Sequence, residues 1–219
     1  MPHDDARLAE MLCTRLCHDL TGPIGALANG AEFLADDEFS MQGQAVELIS
    51  QSAEQAVNRL QFYRTAYGRV NNSGEAVLSD TKRLISSFFK GGKVSLDWPD
   101  THTDALEISI SRKMARLIQN MVIIASGTLI RGGIISIRID IEGANKRVSV
   151  SASGVSIKWD ENHQHVLANN VTIDEVQPAT VQTYYTFKLA QEMEADITAA
   201  ATEESFELVA VKEAAFVAL

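Results

Sequence analysis

Leu16-Cys17-His18-Asp19-Leu20-Thr21-Gly22-Pro23-Ile24-Gly25-Ala26-Leu27-Ala28-Asn29-Gly30-Ala31-Glu32 is the stretch whose reading decides the fold. Residues in a helix turn by roughly 100° each. On that period Leu12, Leu16, Leu20, Ile24, Leu27 and Ala31 gather on one side, and His18 falls almost opposite their centre. The segment therefore predicts an amphipathic helix with an apolar back and a solvent-facing histidine. Sharing the face of His18 are Gly22, Gly25 and Asn29, small and poor helix formers where a solvated helix normally carries Lys, Glu or Gln. Two glycines and Pro23 weaken a helix. Such a cost without a local structural gain is expected where another protein must come close.

Working outward, one helical pattern runs from about Asp4 to Ala35 and a second from about Met41 to Tyr67, separated by the polar stretch Asp36 to Ser40. This is an αα-hairpin. In its second helix Val46, Ile49, Ala53, Ala56, Leu60, Tyr63 and Tyr67 recur in steps of three and four, a bundle seam. Two helices bury such a stripe poorly. A second copy supplying another hairpin would complete a four-helix bundle, and the alternative is that the hairpin packs on its own C-terminal domain.

The linker-like Asn71-Asn72-Ser73-Gly74 divides the chain into a hairpin, residues 1–70, and a second domain, residues 75–219. In the second, Ser79 or Asp80 can cap a helix running to about Phe89. Lys93 to Trp98 and Ala105 to Ile110 read as strands, and Ser111 can cap a long apolar helix to about Leu129. Ile134 to Ile141 and Arg147 to Ala152 alternate around Gly143-Ala144-Asn145 as a β-hairpin. Thr180 to Glu194 is helical, and Asp196 to Ala201 with Phe206 to Val211 forms another hairpin. Helices on one face of a mostly antiparallel sheet make an α+β sandwich.

Several function classes are disfavoured. A net charge of −10 argues against nucleic acid, whose binding rests on Lys and Arg displacing counterions. The longest strongly apolar run, Met121 to Ala125, is far too short to cross a membrane, and a cytoplasmic protein is expected. Cys13 and Cys17 lie four apart within a helical pattern and read as small buried or half-buried thiols rather than as metal ligands. His163 and His165, in the polar stretch Asp160 to His165, read as loop residues without a ligand role.

Chemistry concentrates on His18. A neutral imidazole nitrogen is a good nucleophile near neutral pH and can take up and release a phosphoryl group. His18-Asp19-Leu20-Thr21-Gly22-Pro23 resembles the phosphoacceptor motif of dimerisation and histidine phosphotransfer domains, and the longer run to Glu32 is similar to the ChpT-type histidine phosphotransferases of α-proteobacteria. The resemblance implies that His18 is phosphorylated and that Asp19 orients its ring or accepts its proton. It implies a donor that is the receiver domain of a hybrid histidine kinase and acceptors that are receiver domains of response regulators, with magnesium supplied by the receiver and no cofactor held by this chain. Gly22 stands where kinases of this type commonly carry Thr or Asn to position water for phosphatase activity.

The hairpin turn centres near Glu38, so His18 should lie level with Arg59, and Arg59, Phe62 and Tyr63 are expected to flank it and extend the docking surface of Gly22, Gly25 and Asn29. The element order of the second domain resembles the ATP-binding sandwich of histidine kinases with its ligands lost. Asn120 matches the first Asn of the kinase magnesium-binding helix, but Ile124 stands at the second, and an aliphatic side chain cannot ligate magnesium. Ala152 replaces the adenine-binding Asp, and Pro178 to Tyr185 has none of the glycines of a phosphate lid. A histidine phosphotransferase without ATP binding is the expectation. A dimeric adaptor and a divergent kinase are the alternatives.

Overall fold

The computed structural model describes residues 2–35, 42–68, 74–98, 109–142, 145–169 and 171–213. The hairpin is α1 (Pro2–Ala35) against α2 (Gln42–Ala66). Gly30 sets their close approach, since a Cβ there would fall 2.7 Å from Cγ1 of Ile49. The seam on α2 divides between two environments. Tyr63 turns inward and is buried, while Val46 and Leu60 remain more than half exposed. The expected turn at Asp36 to Ser40 and most of the linker at 71–74 lie outside the described residues.

The rest of the chain is β1 (Glu75–Val77), α3 (Leu78–Phe89), β2 (Val94–Asp97), β3 (Ser109–Ser111), α4 (Arg112–Thr128), β4 (Gly133–Glu142), β5 (Asn145–Ser153), α5 (Glu161–Ala168), α6 (Val181–Glu192), β6 (Asp196–Ala201) and β7 (Ser205–Lys212). Five strands form one sheet in the order β2-β4-β5-β7-β6, and β1 pairs with β3 apart from it. Among the described residues, only the β2–β4 pair of the large sheet is parallel. It opens at Gly132, whose φ of 87° and whose missing Cβ, which would lie 2.4 Å from the Lys93 carbonyl, both require glycine. Ser111 caps α4 as expected, its hydroxyl accepting from the Met114 N–H at 3.2 Å.

Helix α4 is buried over most of its surface because the sheet lies on one side and the hairpin and α6 on others. Ile118, Met121, Val122 and Ala125 meet Ile135, Val150 and Leu208 in the core, and that core continues into α2 through Phe62, Tyr63 and Ala66. The first half of α1 adds Leu8, Met11 and Leu12 to a second cluster around Val166, Ile173, Val181 and Tyr184. So the hairpin packs on its own C-terminal domain and still leaves an apolar face outside.

Two local expectations need correction, and a third falls largely on residues outside the described set. α3 begins at Leu78, directly after β1, with no side chain capping it, so neither Ser79 nor Asp80 is its cap. The strand expected from Ala105 is described only over Ser109–Ser111, the preceding residues lying outside the described set. His163 and His165 sit on a helix, α5, which starts because Asp160 Oδ1 accepts from the N–H groups of Asn162 and His163.

Candidate phosphoacceptor site

His18 lies midway along α1 with 88% of its side chain exposed. Asp19 follows on the flank turned toward α2, its side chain 21% exposed. Its Oδ1 is 3.4 Å from Nδ1 of His18, at the outer limit of a hydrogen bond. A proton on Nδ1 directed at that carboxylate leaves the lone pair on Nε2, the nitrogen farther from the helix.

Asp19 is itself held. The Tyr63 hydroxyl donates to Oδ2 at 2.5 Å, and the guanidinium of Arg15, one turn earlier on α1, lies 3.9 Å from the same oxygen. Arg59 donates from Nη1 to the Asp19 backbone carbonyl at 2.7 Å. The Tyr63 ring is 3% exposed, stacked on Tyr67 with centroids 5.3 Å apart and set edge-on to Phe62 and Phe88. Burial first, and then the Asp19 carboxylate, push its phenol far above the usual range, so it is a neutral donor.

Arg59 and Tyr63 therefore stand beside His18, as the hairpin geometry predicts, but they are turned toward Asp19. Phe62 is corrected outright. It is wholly buried, stacked on Phe88 with centroids 4.2 Å apart, and offers no surface to a partner; Tyr63, nearly as buried, offers none either. Gly22, Gly25 and Asn29 are exposed around His18. A Cβ at Gly22 or Gly25 would meet nothing within 4 Å, so packing does not demand glycine at either. Beside Asp19, a cleft of about 250 Å³ runs between the hairpin and the second domain, lined by Arg15, Arg59, Tyr63, Phe88, Lys93 and Gly127.

The interior between α2, α4 and α6 carries a network of side-chain hydrogen bonds. Asn120 is completely buried, and its Nδ2 donates to the carbonyls of Ala66 at 2.9 Å and Arg116 at 2.8 Å. Its Oδ1 accepts from Gln182 Nε2 at 2.9 Å, and the Tyr67 hydroxyl donates to Gln182 Oε1 at 2.6 Å. Arg116 also donates to the carbonyls of Ala66 and Tyr67 and to the Tyr185 hydroxyl. These bonds satisfy carbonyls that the end of α2 leaves without helical partners. Trp159 stacks on His163 with centroids 4.9 Å apart, and the His163 ring exchanges a hydrogen bond with the Thr183 hydroxyl at 2.8 Å. Ile124 and Ala152 are buried in apolar surroundings.

Cys13 and Cys17 are free and, against the expectation of buried or half-buried thiols, exposed, because both face outward from α1. Among the described residues, no group of three His, Cys, Asp or Glu side chains could hold a metal ion. No helix of the described residues is long and apolar enough to cross a membrane.

Residues 78–205 match the family model of the histidine phosphotransferase C-terminal domain. The chain is 28% identical over 198 residues to the protein phosphotransferase ChpT of Brucella abortus (strain 2308), covering 90% of this chain and 91% of that relative. A solved bacterial phosphotransferase superposes with a TM-score of 0.77 at 27% identity, covering 93% of this chain and 95% of the other. With the matched domain making up more than half of its length and the histidine-bearing hairpin packed on it, the chain belongs to the histidine phosphotransferase family.

Proposed function

We propose that His18 is the phosphoacceptor of a multistep phosphorelay, loaded by the receiver domain of a hybrid histidine kinase and unloaded onto receiver domains of response regulators. One observation carries this reading. His18 stands almost fully exposed on a face cleared of bulky side chains, with the carboxylate of Asp19 directed at its Nδ1. In the reaction, the Nε2 lone pair attacks phosphorus of the receiver's aspartyl phosphate. The N–P bond forms as the P–O bond breaks, and the electron pair leaves on the aspartate. Positive charge gained by the ring is balanced by Asp19. The reverse sequence passes the phosphoryl group to the next receiver. Such transfers need positioning and charge balance more than covalent chemistry from the carrier, and the magnesium belongs to the receiver.

Loss of ATP binding is part of the proposal. It is supported by the commitment of Asn120 to structural hydrogen bonds, by Ile124 and Ala152 at the positions of a magnesium and an adenine ligand, and by Trp159 and His163 packed together beside the cleft. So is homodimerisation. Ile24, Val46, Val57 and Leu60 are each more than half exposed on the hairpin, a load of apolar surface that a second hairpin would cover.

Incubation with a phosphorylated receiver tests the phosphoacceptor. Acid-labile, base-stable phosphate should appear on the chain and be absent from His18→Ala. If no receiver of the source organism labels the chain, a dimeric adaptor is the better reading.

A further inference from the structure

Pro23 is four residues after Asp19, and in an α-helix the carbonyl of one residue accepts from the N–H four positions on. Proline has no N–H. The Asp19 carbonyl thus loses its helical donor through the proline of the His18 motif, and Arg59 Nη1 occupies that place at 2.7 Å. One turn farther along α2, Tyr63 reaches the same residue's carboxylate, its hydroxyl 2.5 Å from Oδ2. Two adjacent turns of α2 therefore grip Asp19 by main chain and side chain, and its remaining oxygen, Oδ1, is the one toward Nδ1 of His18.

We infer that Arg59 and Tyr63 are positioning residues for phosphoryl transfer, acting on His18 through Asp19 rather than through the receiver. The inference rests on His18 being the phosphoacceptor. An aspartate on an exposed helix flank has several rotamers, only some of which reach the preceding ring. A carboxylate held at Oδ2 keeps Oδ1 in place, so that the Nδ1–H tautomer prevails and the lone pair sits on Nε2 before the receiver arrives. Burial holds Tyr63 in place, because the ring is wedged against Phe62, Tyr67 and Phe88 and its hydroxyl cannot swing away. The neutral phenol keeps its proton and donates it throughout the physiological pH range.

Tyr63→Phe keeps the ring and removes the hydroxyl. With a receiver that labels the wild-type chain, phosphorylated in advance with acetyl phosphate, the saturated transfer rate should fall about ten- to a hundredfold. Receiver affinity, read by titration, should change less than twofold. In the Asp19→Asn background the same substitution should cost less than twofold more, since its target is already altered. Arg59→Met should slow transfer likewise. Pro23→Ala, which restores a backbone N–H to the Asp19 carbonyl, should make Arg59→Met nearly harmless.

An independent reading needs no receiver: the ¹⁵N spectrum of His18 in the intact chain should show mainly the Nδ1–H tautomer, and Tyr63→Phe should shift it toward a mixture. A wild-type rate in Tyr63→Phe, losses that add fully to those of Asp19→Asn, weakened receiver binding as the whole effect, or an unchanged tautomer would each overturn the inference. Failure of every receiver to label the wild-type chain would instead strike the phosphoacceptor reading, and the tautomer measurement would still decide whether Tyr63 governs His18.

Discussion

Nδ2 of Asn120 donates to the carbonyl of Ala66, the last residue of α2, across 2.9 Å of completely buried interface. This side chain works as mortar between two parts of the chain. With Gln182, Tyr67 and Arg116 it binds the C-terminal end of the hairpin to α4 and α6.

The role of Asn120 can be measured as stability. Asn120→Leu removes a donor from Ala66 and an acceptor from Gln182, and both are buried. A buried polar group left without its partner costs on the order of 1–3 kcal/mol, but Arg116 still serves the Ala66 carbonyl and Thr186 still serves Gln182 Nε2. We therefore expect a loss at the low end, about 1 kcal/mol in urea unfolding, with an unchanged m-value. An unaltered midpoint would mean that the network does not fasten the hairpin.

Much of the architecture was legible in the sequence because the signals were periodic. α4 and the two β-hairpins follow from apolar spacing, and Ser111 from its position before an apolar run. α5 was missed because Asp160 to His165 is polar throughout. Its usable signal was Asp160 as an N-cap ahead of Val166 and Leu167, which are buried. β1, three residues long, is too short for alternation to show. At the site, periodicity ranked His18 as exposed and hairpin geometry put Arg59 and Tyr63 beside it. It could not say which side chains another element covers. Phe62 points at Phe88, twenty-six residues farther on, and nothing in the spacing within α2 encodes that contact. Pro23 four residues after Asp19 was a readable sign that some donor must replace its missing N–H.

Dimerisation is testable without disturbing the protomer. Leu60 is 54% exposed in the single chain, so Leu60→Glu places its charge in water there and buries it only if a second hairpin covers that face. Light scattering at micromolar concentration should show a dimer for the wild type and a monomer for Leu60→Glu, with the circular dichroism of the two alike. A wild-type monomer, or a variant that stays dimeric, would remove this face from the interface.

The imidazole of His163 gives a pH signature. Burial, the largest influence, lowers its pKa below the ordinary 6.5, with Asp160 opposing. The unfolded chain then binds a proton at this residue at pH values where the folded chain does not. Stability accordingly increases with pH across the window from the lowered folded pKa up to about 6.5, and is lost as pH falls through it. His163→Gln keeps a polar partner for Thr183 and lacks the titration, so its unfolding free energy should be flatter than the wild type's as pH falls below about 6.5. Parallel profiles would show that His163 titrates alike in both states.

The docking surface separates recognition from chemistry. Gly22 and Gly25 have open space where a Cβ would stand, so a substitution at either leaves the helix unstrained and acts on whatever approaches from outside. Gly25→Arg places a long cationic side chain about two turns from His18, on the face where a receiver must come within bonding distance of Nε2. Crowding there should weaken receiver binding at least tenfold, about 1.4 kcal/mol, while the thermal midpoint stays put or rises slightly because a helix-breaking glycine is gone. His18→Ala should show the opposite pattern, with receiver binding nearly intact and transfer abolished. The two variants distinguish a crowded interface from a missing nucleophile. If Gly25→Arg binds and transfers at the wild-type rate with every receiver that labels the chain, the partner approaches from another side, and the small residues around His18 have some other cause.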